Sequence, residues 1–207
     1  MRTLVVGDVH GCASELETLV EVANPTRLIL VGDLFSKGPD ALGVWEVICR
    51  HSAEAVLGNH DAYMLDCWDD VLAGKGKGPA ADAIHLFGGA QQAVRDWLEA
   101  LPLFLNVGEC VVVHAGIDPQ LGVAGTTRKQ ATTMRKHPAG GPLFWWEQYR
   151  GEQLVIYGHD AVRGLQDHRP SSLGLDTGCV YGRALTGFLI ERGEILSVPA
   201  EEIWCPV

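Results

Sequence analysis

The chain has 207 residues, 47% of them hydrophobic, enough to bury a substantial core as one domain over residues 1–207. A formal net charge of −10 argues against a broad, unaided nucleic-acid surface, because such binding rests on lysines and arginines neutralising phosphates. It leaves room for an anionic substrate, since bound divalent cations reverse the local sign of a site. No apolar run approaches the ~18–20 residues needed to cross a bilayer, so no membrane partner is expected. The N-terminus enters a strand without an export-signal pattern, and six cysteines show neither a C-x-x-C pair nor a regular spacing. Both features read as a cytoplasmic protein with reduced thiols.

In chain order, Thr3–Gly7 and Arg27–Gly32 are short apolar and β-branched runs, each stopped by Gly-Asp. The segment between them reads as a helix, with Ser14 and Glu17 as a capping box around Leu16, Leu19 and Val20. A second helix follows Pro39-Asp40 through Val44, Val47 and Ile48, and a third strand-like run covers Glu54–Leu57. Strand and helix alternating in this way predict an α/β fold with a parallel sheet. Lys75–Pro79 reads as a solvated loop between helical stretches. From Pro102 the strands come closer together: Leu103–Val107, Cys110–His114, Leu154–Tyr157, Leu173–Asp176, Leu185–Ile190 and Glu194–Val198, with helical and irregular sequence from Thr126 to Arg150.

The strand ends carry the chemistry. Asp8 and His10 follow the first strand, Gly32-Asp33 the second and Gly58-Asn59-His60-Asp61 the third, with Asp8, Asp33 and Asn59 spaced 25 and 26 residues apart. Parallel strands deliver their C-terminal loops to one edge, where α/β folds bind ligands. Two later strands end in the same manner, at His114-Ala115-Gly116 and Gly158-His159-Asp160. A lone Gly-Asp is usually a turn and a lone strand-end histidine usually a rim residue, but five such endings in one chain point to a metal site. Carboxylate, amide and imidazole donors without a thiolate suit manganese or iron better than structural zinc. A carboxylate such as Asp33 can bridge two ions at the ~3.5–4 Å of two-metal phosphatases and nucleases. His51, His85, His137 and His168 lack this context and read as ordinary histidines.

Gly7-Asp8-Val9-His10-Gly11, Gly32 to Pro39, Gly58 to Asp61, His114-Ala115-Gly116 and Gly158-His159 together resemble the calcineurin-like metallophosphoesterases, in their phosphoprotein-phosphatase branch. His114 to Ile117, Leu175-Asp176-Thr177-Gly178-Cys179 and Gly182 to Thr186 are most similar to symmetrical diadenosine tetraphosphatases and the related ApaH-like phosphatases. The resemblance runs from Thr3 to Pro199. It implies two mixed β-sheets packed as a sandwich flanked by helices, around a dinuclear site. Asp8 and His10 would hold the first metal, Asp33 would bridge, and Asn59, His114 and His159 would hold the second. The ions would be Mn²⁺ in the first instance, with Fe, Co, Ni and Zn as alternatives. A metal-bridging hydroxide would be the nucleophile and His60 the general acid.

Two departures from the family pattern bear on function. Ser36-Lys37 stands where protein phosphatases usually carry Asp-Arg, so the carboxylate that would orient His60 is missing, and Lys37 contacts phosphate without the bidentate fork of arginine. Arg135 follows His114 by only 21 positions, so a helical insertion of longer relatives is reduced. Arg135 resembles a second phosphate contact, with a surface ion pair as the alternative. Phe144, Trp145 and Trp146 are either core packing or a stacking platform for a base. The implied function is hydrolysis of dinucleoside polyphosphates, diadenosine tetraphosphate giving two ADP, together with phosphomonoesters. The alternatives are a serine/threonine or dual-specificity phosphatase acting on phosphoproteins, and a metal-loaded binding module for a phosphorylated ligand. Capped RNA joins the candidate substrates, and the sequence leaves the physiological substrate and the oligomeric state open.

Overall fold

The structure, a computed structural model, describes residues 1–206. Two βα units come first: β1 (Thr3–Val6), α1 (Ala13–Ala23), β2 (Arg27–Leu30) and α2 (Ala41–His51), followed by a two-residue β3 (Glu54–Ala55). Helices α3 (Asn59–Leu72), α4 (Pro79–Leu86) and α5 (Gln91–Glu99) lead to a hairpin of β4 (Phe104–Val107) and β5 (Cys110–Val113). Three short helices, α6 (Gly122–Gly125), α7 (Arg128–Thr133) and α8 (Trp145–Gln148), precede β6 (Leu154–Tyr157). The chain closes with β7 (Gln166–His168), β8 (Ser172–Gly174), β9 (Ala184–Leu189) and β10 (Glu194–Pro199).

These strands form two mixed five-stranded sheets, ordered β10-β9-β1-β2-β3 and β4-β5-β6-β8-β7. Within the first, β1, β2 and β3 are parallel, and within the second β5, β6 and β8 are parallel. Alternation at period two sorts the side chains into layers. Leu4, Val6, Leu28 and Leu30 face the helices, packing with Leu16, Leu19, Val44 and Ile48. Val5, Ile29, Val31 and Val56 face the other way and meet Val112, Ile156, Leu173 and Leu175 between the sheets. The outer face of the second sheet puts Val111, Val113, Val155 and Tyr157 against Trp145, Trp146 and Tyr149. The result is the sandwich with flanking helices that the family resemblance implies.

The aromatic triplet belongs to that third layer. Trp145 is wholly buried, with Nε1 donating to the Ala115 carbonyl at 3.0 Å. Phe144 stacks on Trp146 at 4.5 Å, with the Arg163 guanidinium 3.8 Å from its ring centroid. All three are engaged in packing within this layer.

The expected capping box on α1 does not form. The helix begins after Cys12 without a side-chain cap, and Ser14 Oγ donates instead to Glu201 Oε1. The physical reason lies far along the chain. The carboxylate of Glu15 turns inward and accepts from Glu201 N and from Trp204 Nε1, so this end of α1 docks the segment after β10.

Candidate metal centre

Six strands of the two parallel sets, β1, β2, β3, β5, β6 and β8, end at one edge of the sandwich. The loops leaving them carry Asp8 and His10, Asp33, Asn59 and His60, His114, His159, and Asp176. Outside glycine, six described residues have positive φ: Asn24 and Ser52 end helices, and the other four are His10, Asp33, Lys37 and His159. Backbone strain therefore collects at this edge, as it does where function over-determines a loop.

Asp33 is the hub of the arrangement. Its Oδ2 lies 3.6 Å from His10 Nε2, and its Oδ1 lies 3.5 Å from His114 Nε2. The side chain is held by a hydrogen bond from the His60 backbone N–H at 2.8 Å. Asp61, the last residue of the Gly-Asn-His-Asp motif, fixes the main chain beneath it, accepting from the backbone N–H groups of Asp33, Leu34 and Gly58 at 2.7, 3.0 and 3.1 Å. Asp8 ties the first sheet to the second, since both its oxygens are 3.1 Å from the His159 N–H. Gly158 is required there, because a Cβ would overlap Asp8 Oδ1.

The tautomers follow from the partners. His10 Nδ1 meets the Ser36 carbonyl at 3.1 Å and His114 Nδ1 meets the Val31 carbonyl at 2.9 Å, so each Nδ1 carries the proton. Each Nε2 therefore presents a lone pair to the centre, the second-sphere arrangement usual for metal-binding histidines. Asn59 Oδ1 sits 3.0 Å from His114 Nε2 and 2.9 Å from His159 Nδ1, and the buried His159 Nε2 has no hydrogen-bond partner. Two overlapping groups, His10 with Asp33 and His60, and Asp33 with His114 and His159, bring candidate ligand atoms within 4.8 Å of one another.

Electrostatics describe a centre short of positive charge. Burial, then Asp176 and Asp33, push the Asp8 carboxyl well above its ordinary range. Burial lifts Asp33 to about 7 and Asp176 to about 6. Burial also lowers the imidazoles, His159 to about 2 and His60 to about 4, with His10 and His114 moved in the same direction. Neutral imidazoles and crowded carboxylates are the forms that accept divalent cations. Oxygen and nitrogen donors, opposed lone pairs and a central carboxylate with both oxygens engaged fit a pair of divalent ions.

A cleft of about 400 Å³ opens above this cluster, lined by Asp8, His10, Asp33, Lys37, Asn59, His60, Arg135 and His159, with His114 buried beneath. All nine residues singled out from the sequence thus meet in one place, whereas His51, His85, His137 and His168 do not line the cleft. Arg135 reconciles its two readings: it lines the cleft, donates to the His159 carbonyl at 3.2 Å and sits 3.5 Å from Asp160. Among the further residues lining the cleft are Asp176, Tyr181 and Arg183, none of which was given a role from the sequence. Asp176 was within reach of the strand-end rule, since β8 runs parallel to β6, but no Gly-Asp marks it.

A buried Asp-His-Asn cluster at the carboxyl edge of two facing sheets defines a metal-dependent phosphoesterase scaffold. The chain belongs to the calcineurin-like phosphoesterase family, whose model matches residues 1–184. Among its relatives, the asymmetrical bis(5'-nucleosyl)-tetraphosphatase PrpE of Bacillus mycoides is 30% identical, covering 100% of this chain and 97% of its own. The symmetrical bis(5'-nucleosyl)-tetraphosphatase of Pseudomonas putida is also 30% identical, covering 94% and 91%. A crystal structure provisionally described as a diadenosine tetraphosphatase superposes with a TM-score of 0.80 at 35% identity, over 96% of this chain and 93% of that one. The alignment to the Bacillus protein is 244 residues long against 207 here, so residues of that relative fall opposite gaps.

Proposed function

We propose that this chain is a dinucleoside polyphosphate hydrolase, one metallophosphoesterase domain acting in the cytoplasm with two divalent ions, manganese first among them. The observation that carries the reading is Asp33, which turns one oxygen toward His10 and the other toward His114 with the His60 ring on the same face. Asp8 and His10 would hold one ion, and Asn59, His114 and His159 the other, with Asp33 between them. Such a pair polarises a phosphoryl group and acidifies water. The oxygen and nitrogen donor set supports manganese, and six cysteines without a disulfide support a reducing compartment. No helix is long and apolar enough to cross a membrane among the described residues.

The protein's own groups bind the substrate and manage the proton. Lys37 Nζ, 3.0 Å from the Tyr181 hydroxyl, places a positive charge at the reacting phosphate beside His10. The His60 ring packs edge-on against His10 at 5.0 Å and holds its proton weakly, because burial, then Lys37 and His114, lower its pKa to about 4. A phosphate oxygen arriving beside it favours the imidazolium and makes Nε2 or Nδ1 an acid toward the leaving oxygen. Among the described residues no carboxylate hydrogen-bonds the His60 ring, as the Ser36-Lys37 departure implies. That deficit selects the leaving group. A nucleoside diphosphate leaves as an oxyanion whose conjugate acid has a pKa near about 6, needing little help, whereas a serine alkoxide needs a full proton. Anhydrides and aryl phosphates therefore suit this site better than phosphoserine or phosphothreonine. Capped RNA, which also presents an anhydride, stays within the class, and a binding module would not need His60 on the reacting face.

Central cleavage of diadenosine tetraphosphate to two ADP is the reading carried by the Leu175–Cys179 motif, and ATP plus AMP is the alternative supplied by the asymmetrical relatives. The test is hydrolysis of diadenosine tetraphosphate, an aryl phosphate and a phosphoserine peptide in manganese, with chromatographic identification of products. Turnover should fall in that order. A faster phosphopeptide overturns the substrate reading, and ATP with AMP overturns the central cut.

A further inference from the structure

We infer that Arg183 is a second anion clamp, binding the phosphate chain of the leaving group beyond the phosphorus under attack. The inference rests on the polyphosphate reading above and adds the residue that would distinguish a chain of phosphates from a single one.

Arg183 ends a loop that brings three groups into the cleft: Asp176, Tyr181 and Arg183 itself. The loop is rigidly closed. Gly178 N–H donates to Asp176 Oδ1 at 3.1 Å, Tyr181 N–H and Arg183 N–H both donate to the Gly178 carbonyl, and Gly178 and Gly182 take the left-handed conformation. The aliphatic stem of Arg183 lies over Gly178, where a Cβ would come within 3.4 Å of its Cδ. Its Nη1 donates to the Ala161 carbonyl at 2.7 Å, two residues beyond His159. The guanidinium is thus aimed before any ligand arrives, and among the described residues its remaining N–H groups have no partner.

Charge decides what those N–H groups meet. Three cationic side chains line the cleft: Lys37, Arg135 and Arg183. Lys37 is engaged by Tyr181 at the floor beside His10, and Arg135 is partly offset by buried Asp160, 3.5 Å away. Arg183 makes no ion pair within 4.0 Å among the described residues, although the chain carries a net charge of −10. An unpaired, pinned guanidinium at the lip of an acidic protein's anionic-substrate cleft is an electrostatic attractor for polyanions. Its planar fork matches phosphate oxygens, which a lysine ammonium does not. A phosphomonoester reaches only Lys37, Arg135 and the centre, whereas a polyphosphate extends past them along the wall that Tyr181 and Arg183 form.

Arg183→Gln removes the charge and keeps an N–H₂ donor for the Ala161 carbonyl, and Arg183→Lys keeps the charge and loses the fork. The measurements are kcat/KM for diadenosine tetraphosphate and for an aryl phosphate, and inhibition of aryl phosphate hydrolysis by ADP and by inorganic phosphate, all on metal-loaded protein. For Arg183→Gln the loss on the dinucleotide should exceed the loss on the aryl phosphate by about 10- to 100-fold, the scale of hydrogen bonds to charged groups. ADP inhibition should weaken by a similar factor relative to inhibition by phosphate, with Arg183→Lys intermediate. Equal losses on both substrates, or an unchanged ADP-to-phosphate ratio, overturn the clamp and leave Arg183 as a latch between two loops. If wild-type protein ignores the dinucleotide, the substrate reading fails while the ADP-to-phosphate ratio still decides the clamp.

Discussion

Asn59 Oδ1 and His114 Nε2 face each other at 3.0 Å as two acceptors, because the Val31 carbonyl fixes the proton of His114 on Nδ1. Lone pairs opposed at that distance repel, and a cation between them converts the repulsion into ligation. Divalent metal should therefore stabilise the folded protein, by about 2.7 kcal/mol per ion at a free concentration one hundred times the dissociation constant. Thermal denaturation with manganese and with excess chelator measures it. Asn59→Leu should shrink the difference, and an identical midpoint in both buffers would sink the metal reading.

Asp33→Asn should strip most activity and reduce bound metal. The substitution leaves one strong oxygen donor where both Oδ1 and Oδ2 face histidines. Removing groups that only support metal ligands costs about 10- to 100-fold in affinity or activity, so losing the central carboxylate should cost at least the upper value. Elemental analysis after gel filtration decides it: a variant retaining two ions and full turnover refutes the bridging role.

His60→Asn should slow hydrolysis by about 10²- to 10⁴-fold, the range of a lost general acid, with metal content maintained. The loss should grow as the leaving group becomes more basic. Equal losses for a dinucleoside tetraphosphate and for aryl phosphates of rising phenol pKa would count against proton transfer from this ring.

Asp61→Ala should destabilise the fold by more than a surface change does. One buried carboxylate satisfies the N–H groups of Asp33, Leu34 and Gly58, and each unpaired buried donor costs about 1–3 kcal/mol. Because those amides set the path of the chain at Asp33, metal affinity should fall along with the denaturant midpoint. An unchanged midpoint would show that water replaces the carboxylate.

The parts of this architecture that obey local rules were readable in the chain. β1, β2 and β6 are apolar runs that end in glycine followed by a polar residue, β5 is one that ends at His114, and parallel pairing within each sheet carries their loops to one edge of that sheet. Asp176 escaped because β8 is three residues long and its last residue, Gly174, is separated from the carboxylate by Leu175, so no Gly-Asp pair marks the exit. Tyr181 and Arg183 depend on a turn closed by Gly178 and on the antiparallel return of β9, and neither has a sequence period. The start of α1 misled for a different reason. Ser14 with Glu17 satisfies a local capping pattern, yet the polar groups of this turn are taken by Glu201 and Trp204, on the far side of the sequence. The edge strand β7, Gln166–His168, is polar and mostly exposed, so no apolar alternation announces it.

The segment that Glu15 holds has a practical consequence for making the protein. Cys205 and Pro206 form part of the wall of the metal cleft, whereas Met1 is exposed where β1 begins, the end of the strand away from Asp8. A polyhistidine affinity tag attached close behind Pro206 would bring a string of competing imidazoles near that wall. Such a preparation would titrate its own tag whenever metal was added. A tag ahead of Met1, or one removed by a protease, keeps purification chemistry away from the site under assay.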